Sequence, residues 1–179
     1  MLGAIAGDII GSPYEWDPVK FKDFALFSED SNFTDDTVLT VATADALLNG
    51  KSYLEVYKEY PDKFFNRGYG DHFARWASSR QTEPYNSFGN GSAMRVSPIG
   101  WFFNDIDKVL EEAQKSAEVT HNHPEGIKGA QAVALAILLA RKGHDKDSIK
   151  SELRERFGYN LDRTLDDIRP TYKFDVTCQ

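Results

Sequence analysis

A chain of 179 residues, 41% of them hydrophobic, is long enough to bury its own core, and one domain over 1–179 is the expectation. A net charge of −7 with no run of Lys or Arg argues against a nucleic-acid partner, whose phosphates need clustered positive charge. A single cysteine, Cys178, excludes an internal disulfide, no stretch approaches the ~20 apolar residues of a membrane span, and no signal-peptide pattern opens the chain, so a cytoplasmic protein is expected.

From the N-terminus, Met1 to Ile10 is small and apolar, with Gly3, Ala4, Ala6 and Gly7 spaced for close helix packing. Its two glycines cost about 1 kcal/mol each against alanine, so burial is expected to carry this helix. Asp8 within it is either solvated at an edge or partnered inside. Gly11-Ser12-Pro13 breaks the helix, and Tyr14-Glu15-Trp16 begins a loop that runs to Phe33-Thr34-Asp35-Asp36-Thr37. Apolar and small residues from Val38 to Leu48 predict a buried helix that stops at Asn49-Gly50. Thr34 stands at its N-cap, with Asp35 and Asp36 in the first turn.

Ser52 and Glu55 have the spacing of a capping box, and Tyr53, Tyr57 and Tyr60 follow at helical spacing before Pro61. Asp71 is expected to cap a short helix through Phe73, Trp76 and Ala77, and Gln81 to Phe88 reads as a surface loop. Asn104 or Asp105 caps a helix bearing Val109, Leu110, Ala113 and Ala117, which Thr120 to Glu125 interrupts. Gly129 to Arg141 is the most hydrophobic segment and belongs at the centre of a bundle. Asp145 or Asp147 caps a last amphipathic helix with Ile149, Leu153 and Phe157, ended by Gly158; a short turn near Leu165 and an extended Tyr172 to Val176 close the chain. No alternating run of convincing length is present, so the fold class expected is an all-α helical bundle.

Three stretches carry more polar and glycine detail than connections need. Thr34, Asp35 and Asp36 serve either as a helix cap or as oxygen ligands converging on a hard cation such as magnesium. Gly89-Asn90-Gly91, just before a helical start, either makes an ordinary turn or exposes backbone N–H groups to an anion such as a diphosphate. His121 and His123 are too close in sequence, and too far from any cysteine or third histidine, to make a zinc site. Glu15 is a solvated loop residue, a metal ligand or a general acid.

Taken together, Gly3-Ala-Ile-Ala-Gly-Asp8 with Gly11-Ser-Pro-Tyr-Glu15, then Phe33-Thr-Asp-Asp-Thr37, Gly89-Asn-Gly-Ser-Ala-Met-Arg95 with Pro98, and Thr120-His-Asn-His-Pro124 resemble the ADP-ribosylglycohydrolase family in order and spacing. The resemblance covers the whole chain, read as the N-terminal part, about two-thirds, of the family's usual domain. It implies an all-α fold with two magnesium ions in a central cleft, and hydrolysis of the bond between ADP-ribose and a protein or small-molecule acceptor. It implies metal ligation by Thr34, Asp35 and Asp36, catalytic roles for Glu15 and Asp35, and an ADP-ribose pocket lined by Ser87, Phe88, Gly89, Asn90, Gly91 and Ser92. It also implies a place for His121 near the diphosphate, with Gly68 and Gly70 a weaker match to a glycine turn at the same pocket. The family's C-terminal Gly-Gly-Asp-x-Asp-Thr motif, which carries the other half of the metal site, does not occur in these residues. The alternative is therefore a non-catalytic module that binds ADP-ribose or a partner. An uncovered apolar face along Gly129 to Arg141 is also expected, giving a homo-oligomer or a need for a complementary chain.

Overall fold

The computed structural model describes residues 1–173 and 175–178. It is all-α: α1 (Leu2–Gly11), a 3-10 turn (Ser12–Tyr14), α2 (Asp35–Asn49), α3 (Tyr53–Lys63), α4 (Asp71–Ser78), α5 (Gly91–Met94), α6 (Ser97–Phe102), α7 (Ile106–Glu118), α8 (Pro124–Arg141), α9 (Lys146–Phe157) and α10 (Leu165–Ile168). Among the described residues there is no strand, only an isolated antiparallel bridge between Gly89 and Thr177. The extended stretch expected over Tyr172 to Val176 includes Phe174, which lies outside the described residues.

The helices begin where side chains can satisfy their free N–H groups. Ser52, Asp105 and Asp145 accept from the backbone amides of Glu55, Lys108 and Ser148. α2 and α9 end on Gly50 and Gly158, both left-handed, as their sequences predict. Three boundaries differ from expectation. α4 has Gly70 at its N-cap, so Asp71 contributes only first-turn charge. α3 runs through a buried Pro61 to Lys63, which near a helix end sacrifices little more than one backbone bond. α8 starts five residues early, at Pro124, because the His123 ring accepts from the Glu125 amide.

Two clusters of buried side chains make the core. One lies among α6, α7 and α8, with Val96, Ile99, Val109, Ala113, Leu135 and Leu138, and the half-buried Ile149, Leu153 and Phe157 of α9 pack on it. The other joins α2, α3 and α4 through Leu39, Ala42, Val56, Tyr57, Phe73 and Trp76. Burying each such Leu or Ile contributes about 1.5–3 kcal/mol. Between the clusters a buried polar seam runs from Thr43 through the Tyr57 hydroxyl, at 2.8 Å, to Ser116, at 2.7 Å. α6 crosses α8 at Gly100, where an added Cβ would stand 2.6 Å from the Ala134 carbonyl oxygen. α8 is thus the central helix its composition predicts, though Val133 on one side is 38% exposed.

α1 does not follow expectation. None of its residues is buried and Leu2 is 84% exposed, so burial does not carry it. No helix of the described residues is long and apolar enough to cross a membrane.

Candidate active site

Asp8 joins α1 to the start of α2. Its Oδ2 accepts from the Thr34 amide at 2.8 Å and from the Thr37 amide at 3.2 Å, and its Oδ1 from the Thr34 hydroxyl at 2.5 Å. Of the two readings open for Asp8, the structure adopts the partnered one. Thr34 occupies the N-cap in extended backbone, but its own bond from the Asp36 amide is long, 3.4 Å, since its hydroxyl is turned to Asp8. A carboxylate from another helix therefore does most of the capping of α2, and it suits the positive end of the helix dipole.

Around this corner the carboxylates crowd one another. The Asp35 amide donates to the Arg67 carbonyl at 2.7 Å, which seats the loop after α3 beside the Asp35 side chain. At Gly68, with φ +86°, a Cβ would lie 3.7 Å from Asp35 Oδ1 and in strained backbone. Burial first, then the charges of Asp36, Glu15 and Asp8, push the Asp35 carboxyl up to about 8. Burial, then Asp8 and Glu15, raise Asp36 to about 6, and burial with Asp8 raises Glu15. Asp36 and Glu15 lie at the surface, where solvent screens these repulsions, so Asp35 bears most of the energetic cost.

Among the described residues none of Asp8, Glu15, Asp35 and Asp36 is ion-paired, so no side-chain cation relieves the repulsion. Arg67, whose carbonyl meets the Asp35 amide, directs its guanidinium elsewhere: it stacks on Phe33 at 3.8 Å and donates to Asn32 Oδ1 at 3.1 Å. Hard oxygen donors of like charge are what a magnesium ion takes. Among the described residues, however, no three His, Cys, Asp or Glu side chains form a group that could hold a metal by themselves.

The glycine turn before α5 is built differently from an open cradle of amides. The Gly89 amide donates to Ser87 Oγ at 3.1 Å, and the Asn90 amide donates to the Val176 carbonyl at 2.7 Å. The bridge to Thr177 and a 3.1 Å contact from Cys178 Sγ to the Gly89 carbonyl lay the segment 175–178 along the turn. Two of the N–H groups expected to face an anion are therefore spent within the chain. Ser92 is fully buried and donates to the Gly126 carbonyl at 2.7 Å, while Phe88 is half exposed with its edge against His123. Gly70 opens α4 with free space on its Cβ side.

His121 stands over this turn. A Cβ on Gly91 would meet its Nε2 at 3.1 Å, and one on Gly89 would meet it at 3.7 Å. Its Nδ1 pairs with the Thr120 hydroxyl at 2.7 Å, which in turn accepts from Arg95 Nη2 at 2.9 Å. Burial, then the Arg95 charge, lowers the His121 pKa to about 3, so the ring is neutral at pH 7. The sequence singled out Thr34, Asp35, Asp36, Glu15, Gly89, Gly91 and His121 but assigned no part to Arg95 or Thr120, whose role needs the long-range contact between α5 and the end of α7. Nor did it pair Asp8 with α2, although a lone carboxylate in an apolar helix was the available signal.

A family model described as ADP-ribosylglycohydrolase matches residues 1–175. The chain is 30% identical to the chicken (Gallus gallus) ADP-ribosylhydrolase ARH3 over 80% of its length and 49% of the relative's. It is 27% identical to the human (Homo sapiens) ADP-ribosylhydrolase ARH3 over 90% of its length and 54% of the relative's. An uncharacterised protein of Escherichia coli, YegU, is 26% identical over 86% of the chain and 56% of its own length. The chain thus spans about half the length of the curated relatives it matches.

Proposed function

The chain belongs to the ADP-ribosylglycohydrolase family, and on that premise we propose that it serves a hydrolase that removes ADP-ribose from modified proteins or small molecules with magnesium. The observation that carries the reading is the knot of unpaired carboxylates at the start of α2, with Asp35 held at about 8. Such an arrangement costs stability, and a bound divalent cation is what offsets it.

Thr34, Asp35 and Asp36 would hold the metal, with the remaining ligands coming from outside these residues. When bound there, magnesium supplies polarisation of ribose hydroxyls and of an attacking water. In the hydrolysis, the water oxygen bonds to the ribose carbon as the bond from that carbon to the acceptor breaks, and the acceptor leaves with the electron pair and a proton. Glu15 or Asp35 takes the proton of the water at a carboxylate oxygen and passes a proton to the departing acceptor. His121, beside Gly89 and Gly91, meets an oxygen of the ADP-ribose diphosphate. The measurement is ADP-ribose release with magnesium, expected to be lost in Asp35→Ala and Asp36→Ala; full activity in the double variant would overturn the proposal.

One observation favours a second reading, a binding module without turnover: no three metal-binding side chains converge among the described residues. Calorimetry separates the two. ADP-ribose binding that is unchanged by a chelator and unaccompanied by release is the module's signature.

A further inference from the structure

Arg95 is the largest fully buried side chain of the described residues, and no carboxylate among them pairs with it. Keeping a guanidinium dry is costly, so its surroundings must use the charge. Its face lies 3.9 Å over the Tyr57 ring, and Nη2 donates both to the Ser116 carbonyl and to Thr120 Oγ1, each at 2.9 Å. Thr120, itself fully buried, is 2.7 Å from His121 Nδ1.

Donor and acceptor capacities orient this chain of bonds. An arginine only donates, so Thr120 Oγ1 must accept from it and has one proton of its own to place. Two arrangements bring that hydroxyl to Nδ1: either it donates to a bare Nδ1, or it accepts from a protonated one. The Arg95 charge decides between them. A cation on the far side of the hydroxyl favours a ring whose lone pair faces it and whose proton is on the remote nitrogen. The Tyr85 ring lies 6.1 Å from the imidazole and its hydroxyl hydrogen-bonds the Thr120 side chain; as a neutral phenol it donates to Thr120 Oγ1, which accepts twice and keeps its own proton for Nδ1.

We propose that Arg95 and Thr120 are positioning residues that hold His121 as the neutral tautomer protonated on Nε2, with that N–H directed at the Gly89–Gly91 turn. There it donates to a phosphate or hydroxyl oxygen of the ligand, the part that the spent amides of Gly89 and Asn90 do not play. The ligand side of this inference rests on the ADP-ribose reading; the tautomer does not.

The experiment is imidazole 15N spectroscopy of the ligand-free chain at pH 7, joined to ADP-ribose calorimetry. In the native chain one tautomer is expected, with a proton on Nε2 and a hydrogen-bonded, unprotonated Nδ1. Thr120→Val should remove the Nδ1 bond, admit the other tautomer and weaken ADP-ribose binding about tenfold, the scale of one neutral hydrogen bond. Thr120→Ser should restore both signals, which a merely structural role of the threonine methyl would not allow. A native spectrum with the proton on Nδ1 overturns the proposal whatever the variants do, and so does an Nδ1 signal unmoved by Thr120→Val. If the tautomer is as stated and ADP-ribose does not bind, the functional reading fails while this assignment stands.

Discussion

Replacing Asp35 by Asn should stabilise the chain in the absence of metal. The carboxyl is raised from 3.8 to about 8. The folded state therefore binds the proton more tightly than the unfolded state, so this group's contribution is most favourable below 3.8, falls as the pH rises, and reaches its full penalty once the pH passes about 8. Every pH unit separating the two pKa values corresponds to about 1.4 kcal/mol, so the full difference is an upper bound of about 6 kcal/mol, and partial solvation brings the expected gain to about 2–4 kcal/mol. For a chain of this length that corresponds to about 5–15 °C in Tm. Thermal melts in chelator should show the gap between Asp35→Asn and the native chain widening from pH 4 to pH 8 and then levelling. Added magnesium should narrow it by stabilising the native chain alone. An Asn variant that melts at or below the native temperature at pH 8 would refute the claim that these carboxylates repel one another without relief.

Two further outcomes follow from the packing. Gly91→Ala should lower Tm and ADP-ribose affinity together, because its Cβ would press on the His121 ring at 3.1–3.2 Å and overpacking costs about 1–3 kcal/mol; an unchanged Tm would show that the ring yields freely. The open side of α8 at Val133, together with Leu2 and Trp16, each more than a third exposed, predicts self-association with ANS binding, and light scattering that gives a dye-free monomer would refute it.

The fold was legible wherever a helix carries its own punctuation. Ser52, Asp105, Asp145, Gly50 and Gly158 all stand at the ends their local sequence predicts, because capping is decided within a few residues. Composition likewise put the Gly129 to Arg141 segment at the centre. Illegible were the features that depend on residues distant in the chain. Spacing alone leaves Gly89-Asn90-Gly91 free to offer its amides; their actual acceptors include Val176, more than eighty positions on. The buried Arg95 could not be foreseen either, since an arginine next to an apolar stretch is normally solvated. Its burial follows from the Ser116 carbonyl and Thr120 hydroxyl at the end of α7.

Asp8 takes part both in placing α1 and in the strain of the acidic corner. α1 has two interior glycines and no fully buried residue, its Ile5, Ile9 and Ile10 being only half-buried, so propensity and burial do little to hold it in place. The bonds that tie it to α2 are those of Asp8, two from backbone amides and one from the Thr34 hydroxyl. Charge-assisted bonds of this kind contribute about 1.5–3 kcal/mol when they leave no partner stranded, enough to dock a short helix. All three bonds are accepted by its carboxylate oxygens, and its charge is among those that raise Asp35, Asp36 and Glu15. The anchoring of α1 therefore adds to the strain at the start of α2, whose larger part is the burial of Asp35 and Asp36. A cation bound by Thr34, Asp35 and Asp36 would relieve that strain and leave the anchor in place, because the three Asp8 bonds are already made without it.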